Sequence, residues 1–375
     1  MNIYIKFKII YNGFGDNMNL NSLSLKEKIG QKFMFGVNSD NIDIIINLIR
    51  KYHIGGVILY KKNYDNYDEM LSVIKRLKKA NSDNKIPLFI AIDQEGGRVN
   101  RMPSEFKNIM NVYDMSFKNI DLMYDYGNIT GKMLSDMGIN MNFAPVLDIY
   151  DKNGGKVLYK RCFYGDVDDV IKASTKYIKG LNDNGLISVI KHFPGHGVSK
   201  MDSHLITPYV YDYHKILDKH IKPFDNAINN GIDAVMVNHL VIRGMTGGLP
   251  ASISHSFIEK YLRKRNNFQG LVITDEINML SRNIFYKFSY IKKAITSGSD
   301  IILVKIKDNS NVKIIDKFIK YIEGNIECMK SLDDSVNRII KIKNKYNVND
   351  NISYEGCNID EINKRIDVLN GSLNK

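Results

Sequence analysis

The chain has 375 residues, 44% hydrophobic and 25% charged, an ordinary globular composition with ample material for one large domain. Lys and Arg outnumber Asp and Glu 53 to 41, giving a net charge of +12; the lysines are spread along the chain and form no basic stripe interleaved with aromatics, which argues against a nucleic-acid partner. No apolar run approaches the ~20 residues of a membrane span, and the cysteines Cys162, Cys328 and Cys357 lack the paired spacing of a disulfide framework or a zinc knuckle.

The first segment, Met1 to Tyr11, has neither the basic region nor the small-residue cleavage site of a signal peptide, so a cytoplasmic protein is expected. Met18 opens Asn-Leu-Asn-Ser-Leu-Ser-Leu, a natural domain start, and residues 1–17 read as an extension outside the fold. Short apolar runs then alternate with amphipathic segments. The predicted strands are Gln31–Val37, Gly56–Tyr60, Leu88–Asp93, Met141–Asp148, Leu186–His192, Ala234–His239, Leu271–Asp275 and Asp300–Val304. They are mostly continuous apolar runs, as parallel strands buried on both faces require. Between them fall predicted helices over Ile42–Tyr52, Asp68–Ala80, Leu122–Met137, Val167–Asn184, Lys215–Asn230, His255–Lys264, Tyr286–Ser297 and Val312–Gly324. Asp183-Asn184-Gly185 and Asn229-Asn230-Gly231 supply helix-ending turns.

Strand and helix alternating about eight times predicts a closed (β/α)8 TIM barrel, a single catalytic domain over residues 18–346. An open doubly wound sheet would need a phosphate-binding glycine loop after the first strand, and Val37-Asn38-Ser39 is not one. Ser331–Lys345 reads as a closing helix, and residues 347–375 as a polar tail or an appended helix.

A barrel places its chemistry at the C-terminal ends of its strands. Those ends read Asp93-Gln-Glu-Gly-Gly-Arg98 with Arg101 beyond, Asn142-Phe-Ala-Pro-Val-Leu-Asp148, Lys191-His192, Asn238-His239 and Thr274-Asp275-Glu276. Taken singly, Asp148, Asp275 or Glu276 could be a helix cap, and the histidine-rich stretch Val189–His204 a polar surface loop. Together, carboxylates and proton carriers on different strands are what glycosidic cleavage needs. Asp275, ending a rigid apolar strand, is the candidate nucleophile. His204 is the candidate acid/base, with Asp202 placed to bond its ring and raise its basicity. Lys191, His192, Asp93 and Arg101 would hold sugar hydroxyls.

The segments Asp93-Gln-Glu-Gly-Gly-Arg-Val-Asn-Arg101, Asn142–Asp148, Lys191-His-Phe-Pro-Gly-His-Gly197, Asp202-Ser-His204 and Ile273-Thr-Asp275, in this order, closely resemble the single-domain β-N-acetylhexosaminidases of glycoside hydrolase family 3. The likeness covers about residues 25–345. It implies a retaining double displacement with Asp275 as nucleophile and a His204/Asp202 acid/base dyad, without metal or cofactor. It also implies release of terminal β-linked N-acetylglucosamine, often from muropeptides in peptidoglycan recycling, by a monomer. Asp93, Arg101, Lys191 and His192 match substrate-binding positions, and so does Arg161, which spacing alone would not have picked. The departures are Val198-Ser199 where the family often has Asp-Thr, Glu276 after the nucleophile, Asn238 before His239, and a weak match over Leu280–Lys293.

Four readings of function follow. The first is an exo-β-N-acetylglucosaminidase acting on muropeptides or chito-oligosaccharides. The second is a β-glucosidase or a glycoside phosphorylase of the same family. The third is a metal-dependent barrel hydrolase using His192, His196, His204, His239, Asp202 and Asp275, although no His-x-His pair follows the first strand to begin such a site. The fourth is a non-catalytic sugar-binding protein. Within Val189–His204 the expectation is a fixed binding pair, Lys191 and His192, and a movable dyad, Asp202 and His204, with the hinge at Gly195 and Gly197.

Overall fold

The structure is a computed structural model that describes residues 20–36, 42–151, 156–198, 208–280, 284–305, 312–323 and 325–372. Its strands are β1 (Phe33–Gly36), β2 (Gly56–Leu59), β3 (Phe89–Ile92), β4 (Met141–Asn142), β5 (Ile187–Phe193), β6 (Tyr209–Val210), β7 (Ala234–Val237), β8 (Val241–Ile242), β9 (Leu271–Thr274) and β10 (Ile302–Lys305). Eight of them form one sheet in the order β10-β1-β2-β3-β4-β5-β7-β9, paired in parallel, while β6 and β8 pair separately. A bridge between Ile273 and Ile301 joins the two ends of the sheet, so the (β/α)8 barrel expected from the alternation is the fold. The eight barrel strands are the eight predicted ones, most with shorter bounds, while β5 is shifted by one residue to end at Phe193 and β10 runs on to Lys305.

The period-two alternation of each strand sorts the core into an inside and an outside. Met34, Ile58, Phe89, Ala91, Ile187, Val189, Ala234, Met236, Leu271, Ile273 and Leu303 fill the barrel interior. Their neighbours Phe33, Val57, Ile90, Ile302 and Val304 pack outward against the helical ring. That ring comprises α1 (Leu25–Gln31), α2 (Ile42–Tyr52), α3 (Tyr67–Asn81), α4 (Val112–Lys118), α5 (Leu122–Asp136), α6 (Val167–Asn182), α7 (Lys222–Asn229), α8 (His255–Phe257, continuing as a wider π turn over Ile258–Lys264), α9 (Ile284–Thr296), α10 (Val312–Ile322), α11 (Ile326–Lys345) and α12 (Ile359–Gly371).

Two expectations change. Gln31 ends α1 and is not in the first strand. Ser24 starts that helix with a capping box, its hydroxyl accepting from the Glu27 N–H while the Glu27 carboxylate accepts from the Ser24 N–H, and the apolar run reads as strand only from Phe33. The helix expected over Lys215–Asn230 is two pieces, a π turn at Ile216–His220 and then α7, because Pro223 has no N–H to give a continuous helix and instead sits in the first turn of a new one.

The N-terminal end of the barrel is closed by α11. Ile339 and Ile342 enter the interior cluster, and beside them Asp300, fully buried, accepts from Arg263 Nη2 at 2.7 Å, Arg338 Nε at 2.8 Å and the Val272 N–H at 2.8 Å. At the far end of the chain, α12 buries Ile362, Ile366 and Leu369 in the outer core.

Lys343 on α11 is buried, its Nζ donating to Gln31 Oε1 at 2.8 Å and to the Gly55 carbonyl at 3.0 Å, with the Phe89 ring 4.4 Å away. Burial pushes its ammonium down to about 7. Between pH 7 and the ordinary lysine value of 10.5 the unfolded chain therefore binds more protons than the folded one, and stability rises with pH across that window. Urea unfolding at pH 7 and pH 9 should show this rise, and Lys343→Met should reduce it. An unchanged difference between the two pH values in the variant would place the slope elsewhere.

Candidate active site

The alternation that fills the barrel does not stop where the strands do. Continued by one or two steps of two residues, the inward parity reaches Tyr60 after Ile58, Asp93 and Glu95 after Ala91, Lys191 after Val189, Asp275 after Ile273 and Lys305 after Leu303. All of these line one cavity of about 410 Å³, together with Arg101, Arg161, His192, His196 and Glu276. Apolar Ile58, Phe143, Met236 and Leu303, all at the top of the interior, contribute to its lining. The strands thus carry a dry core below and a polar, charged site above.

The centre of the charge pattern is Glu95. Its Oε1 accepts from Lys191 Nζ at 2.7 Å and from Arg161 Nη2 at 2.8 Å, and its Oε2 accepts from Arg161 Nε at 2.8 Å. Lys191 also reaches Asp93 Oδ1 at 2.7 Å. Burial alone would raise the Glu95 carboxyl, but Arg161 and Lys191 together hold it well below the usual carboxylate range. Arg161 is fixed by the two parallel bonds that suit a guanidinium and a carboxylate. The backbone of Arg101 is held by Gln94 Oε1, which accepts from its N–H at 2.7 Å, and by the Tyr64 hydroxyl, which donates to its carbonyl at 2.9 Å. Its side-chain Nε is buried and has no hydrogen-bond partner among the described residues, a donor left for a ligand.

Asp148 anchors the start of the histidine-rich stretch. Fully buried, it meets His192 Nδ1 at 2.6 Å through Oδ2 and accepts from the His196 N–H at 2.5 Å through Oδ1. Burial acts against its charge, yet His192, His196 and these bonds keep its carboxyl below the ordinary value. The ionised carboxylate selects the tautomer of His192 with hydrogen on Nδ1, which leaves Nε2 to meet a ligand. Lys191 and His192 both line the cavity although they are consecutive, because the β5 register against β7 shifts between Ile190 and Phe193. His196 also faces the cavity, nearly buried, with neither ring nitrogen bonded among the described residues, and burial lowers its imidazole below the ordinary value.

Two strands round the barrel from β5, Asp275 follows β9. Its N–H donates to the Val237 carbonyl at 2.9 Å, and its Oδ1 accepts from the Glu276 N–H at 2.8 Å. Glu276 makes no side-chain cap bond to the short turn Ile277–Met279. His239, by contrast, lies under the site. Its Nδ1 pairs with Ser252 Oγ at 2.6 Å and its Nε2 with the Glu276 carbonyl at 3.0 Å, so both ring nitrogens are engaged and a metal set that includes it would have to break these bonds.

The structure therefore brings Asp93, Arg101, Arg161, Lys191, His192 and Asp275 to a single cavity. Asp202 and His204 lie outside the described residues; the chain leaves them at Val198, two residues beyond cavity-lining His196, and re-enters at Pro208. Gly195 and Gly197, the expected hinge positions, are points of close approach: a Cβ at Gly195, where φ is +122°, would lie 2.6 Å from the His220 Cβ, and one at Gly197 would lie 2.0 Å from the Ile149 carbonyl. Sequence reasoning assigns no role to Glu95, Tyr60 or Lys305, and places His196 only in the metal-hydrolase reading. For the first three the signal was present, since each continues the inward parity of its strand.

Comparisons with known proteins agree with this architecture. A family model described as the glycosyl hydrolase family 3 N terminal domain matches residues 24–342. The chain is 30% identical over 325 residues to Beta-hexosaminidase A of Pseudoalteromonas piscicida, covering 80% of this chain and 54% of that protein, and so spans about half of that relative. It is 30% identical over 301 residues to the Beta-hexosaminidase of Psychromonas ingrahamii, covering 78% of this chain and 87% of that protein. Among solved structures, a glycoside hydrolase family 3 beta-N-acetylglucosaminidase from Paenibacillus sp. str. FPU-7 superposes with a TM-score of 0.85 at 30% identity, over 94% of this chain and 69% of that one.

Glu95→Gln removes the one charge that separates two buried cations. It should destabilise the chain by about 3–5 kcal/mol in urea unfolding, the range for breaking a buried pair. Because the folded carboxyl titrates below its unfolded value, the stability it supplies is complete above the ordinary glutamate range and is lost as pH falls toward the depressed value. The variant should accordingly lose part of the acid-side slope of stability, and a parallel slope in the two proteins would contradict this assignment.

Proposed function

The chain belongs to glycosyl hydrolase family 3, and we propose that it is a retaining exo-β-N-acetylglucosaminidase that removes terminal β-linked N-acetylhexosamine from peptidoglycan fragments. The observation that carries this reading is the convergence of Asp93, Arg101, Arg161, Lys191, His192 and Asp275 from separate strand ends on one cavity. The names of the relatives, beta-hexosaminidases and a beta-N-acetylglucosaminidase, support the sugar. The net charge of +12 favours an acidic substrate such as a lactyl-bearing fragment. The three cysteines are buried and free of disulfides, which suits a reducing, cytoplasmic compartment.

In this mechanism the terminal sugar is held by hydrogen bonds from Lys191, Arg101 and Arg161 and to Asp93 and His192 Nε2. Asp275 attacks the anomeric carbon as His204, oriented by Asp202, gives its proton to the leaving oxygen. A covalent glycosyl–Asp275 ester results. His204 then takes a proton from water, the hydroxide oxygen bonds to the anomeric carbon, and the Asp275 carboxylate leaves unchanged. An imidazole titrating near neutrality suits both proton transfers.

Kinetics with p-nitrophenyl N-acetylglucosaminide test the roles. Asp275→Asn should stop turnover, and full activity in that variant would refute the mechanism. His204→Ala should slow both steps by about 10²–10⁴, the usual contribution of a general acid/base, with a good leaving group restoring the first step only. For the substrate, mass spectrometry of products from purified muropeptides, run beside chitobiose, should show loss of N-acetylglucosamine from the muropeptides. Cleavage of chitobiose alone would exclude the peptidoglycan assignment and leave the glycosidase one standing.

A further inference from the structure

Five aromatic side chains form a continuous ridge beside the cavity, on the side built by the connections that follow β3 and β4. Tyr113 and Phe117 stand on α4, and Tyr150, Tyr159 and Tyr164 on the segment between β4 and α6. Tyr113 is the hub, its ring centroid 6.2 Å from Tyr150, 5.9 Å from Tyr159 and 5.2 Å from Tyr164, and Tyr164 lies 4.6 Å from Phe117. The contacts are edge-to-face or tilted, the geometry that the ring quadrupole favours, so the rings brace one another. The two segments are also pinned by an ion pair, Lys160 Nζ to Asp114 Oδ2 at 2.8 Å. Even so, Phe117, Tyr159 and Tyr164 remain 64%, 42% and 40% exposed. A contiguous exposed aromatic patch of this kind marks a binding face.

Its position indicates what binds there. Tyr150 packs on the cluster that contains Leu158, with Val157 beside it, and Val157 and Leu158 line the cavity. The ridge begins where that wall ends. When a terminal sugar fills the cavity, whatever is joined to its anomeric carbon has to pass out over the rim. Three exposed rings are small beside the roughly 1,000 Å² that a specific protein partner covers. They suit a pyranose, whose face of C–H bonds meets the negative face of an aromatic ring while its hydroxyls reach water and the phenols at the edge.

We infer that this ridge is an aglycone subsite that holds, by stacking, the pyranose that follows the terminal β-linked N-acetylhexosamine. The inference rests on the glycosidase reading above and adds to it the part of the substrate that lies outside the cavity.

The test compares Phe117→Ala, Tyr159→Ala and Tyr159→Phe with the parent chain. KM and kcat are measured on chitotetraose, together with the inhibition constant of free N-acetylglucosamine, which fills only the cavity. Each alanine variant should raise KM for chitotetraose about five- to tenfold, the loss of one stacked ring. The kcat and the inhibition constant should stay within about twofold of the parent, and Tyr159→Phe should behave as the parent does. KM unchanged in both alanine variants would overturn the inference, as would KM and the inhibition constant rising together, which would mean a disturbed cavity. A parent dimer that dissociates in the alanine variants, with KM unchanged, would assign the ridge to a second copy of the chain and overturn it too. Absence of turnover in the parent would defeat the glycosidase reading. Calorimetric titration of parent and variants with chitotetraose would then decide the ridge by itself, with equal affinities, or none, counting against it.

Discussion

One carboxylate sets the terms for the whole site. Lys191 and Arg161 approach the same sugar-sized cavity from β5 and from the segment before α6, and neither could be brought there against the other without Glu95 between them. At an effective dielectric near 20, two like charges about 4 Å apart repel by about 4 kcal/mol, comparable with a large share of a domain's net stability. Glu95 converts that repulsion into two ion pairs, and because it is itself buried it can do so only while both cations stay in place. The candidate binding groups are therefore held by the folding of the barrel before any ligand arrives, which is how a site avoids reorganising on binding.

Packing and chemistry also share one periodicity along each strand. A residue pointing inward at the middle of a strand fills the barrel, and the residue two or four positions later faces the cavity. Errors of register are excluded by the interior: slipping β9 by one residue would turn Leu271 and Ile273 out of the core and move Asp275 away from the cavity with them. Stability of the barrel and placement of the candidate nucleophile are one constraint.

Charge is handled differently at the two ends of the barrel. At the N-terminal end Asp300 is enclosed by Arg263 and Arg338, and Lys32 and Lys343 are buried on carbonyls and neutral acceptors. These groups fasten α8 and α11 to the strands. At the C-terminal end comparable groups are left with unused capacity, as at Arg101 Nε and the His196 ring. Fully satisfied polar groups hold a structure together, and incompletely satisfied ones are where a ligand can add bonds.

The barrel was legible in the chain because its signal is local. Continuous apolar runs such as Gly56–Leu59 and amphipathic segments such as Ile42–Tyr52 fold as they read, and the order of acids, bases and histidines at the strand ends pointed to the family and to residues that line the cavity. The short helices α1 and α4 and the division at Pro223 were less legible, since single capping residues and one missing N–H decide them. The buried pairings of Glu95, Asp148 and His239 could not be read. Each depends on a partner far along the chain: Arg161 and Lys191 for Glu95, His192 for Asp148, Ser252 and Glu276 for His239. Sequence by itself determined the periodicity, and with it which residues face inward at each strand end. Only the closed barrel decided which of those residues meet, because burial and distance between charges exist once the strands are side by side.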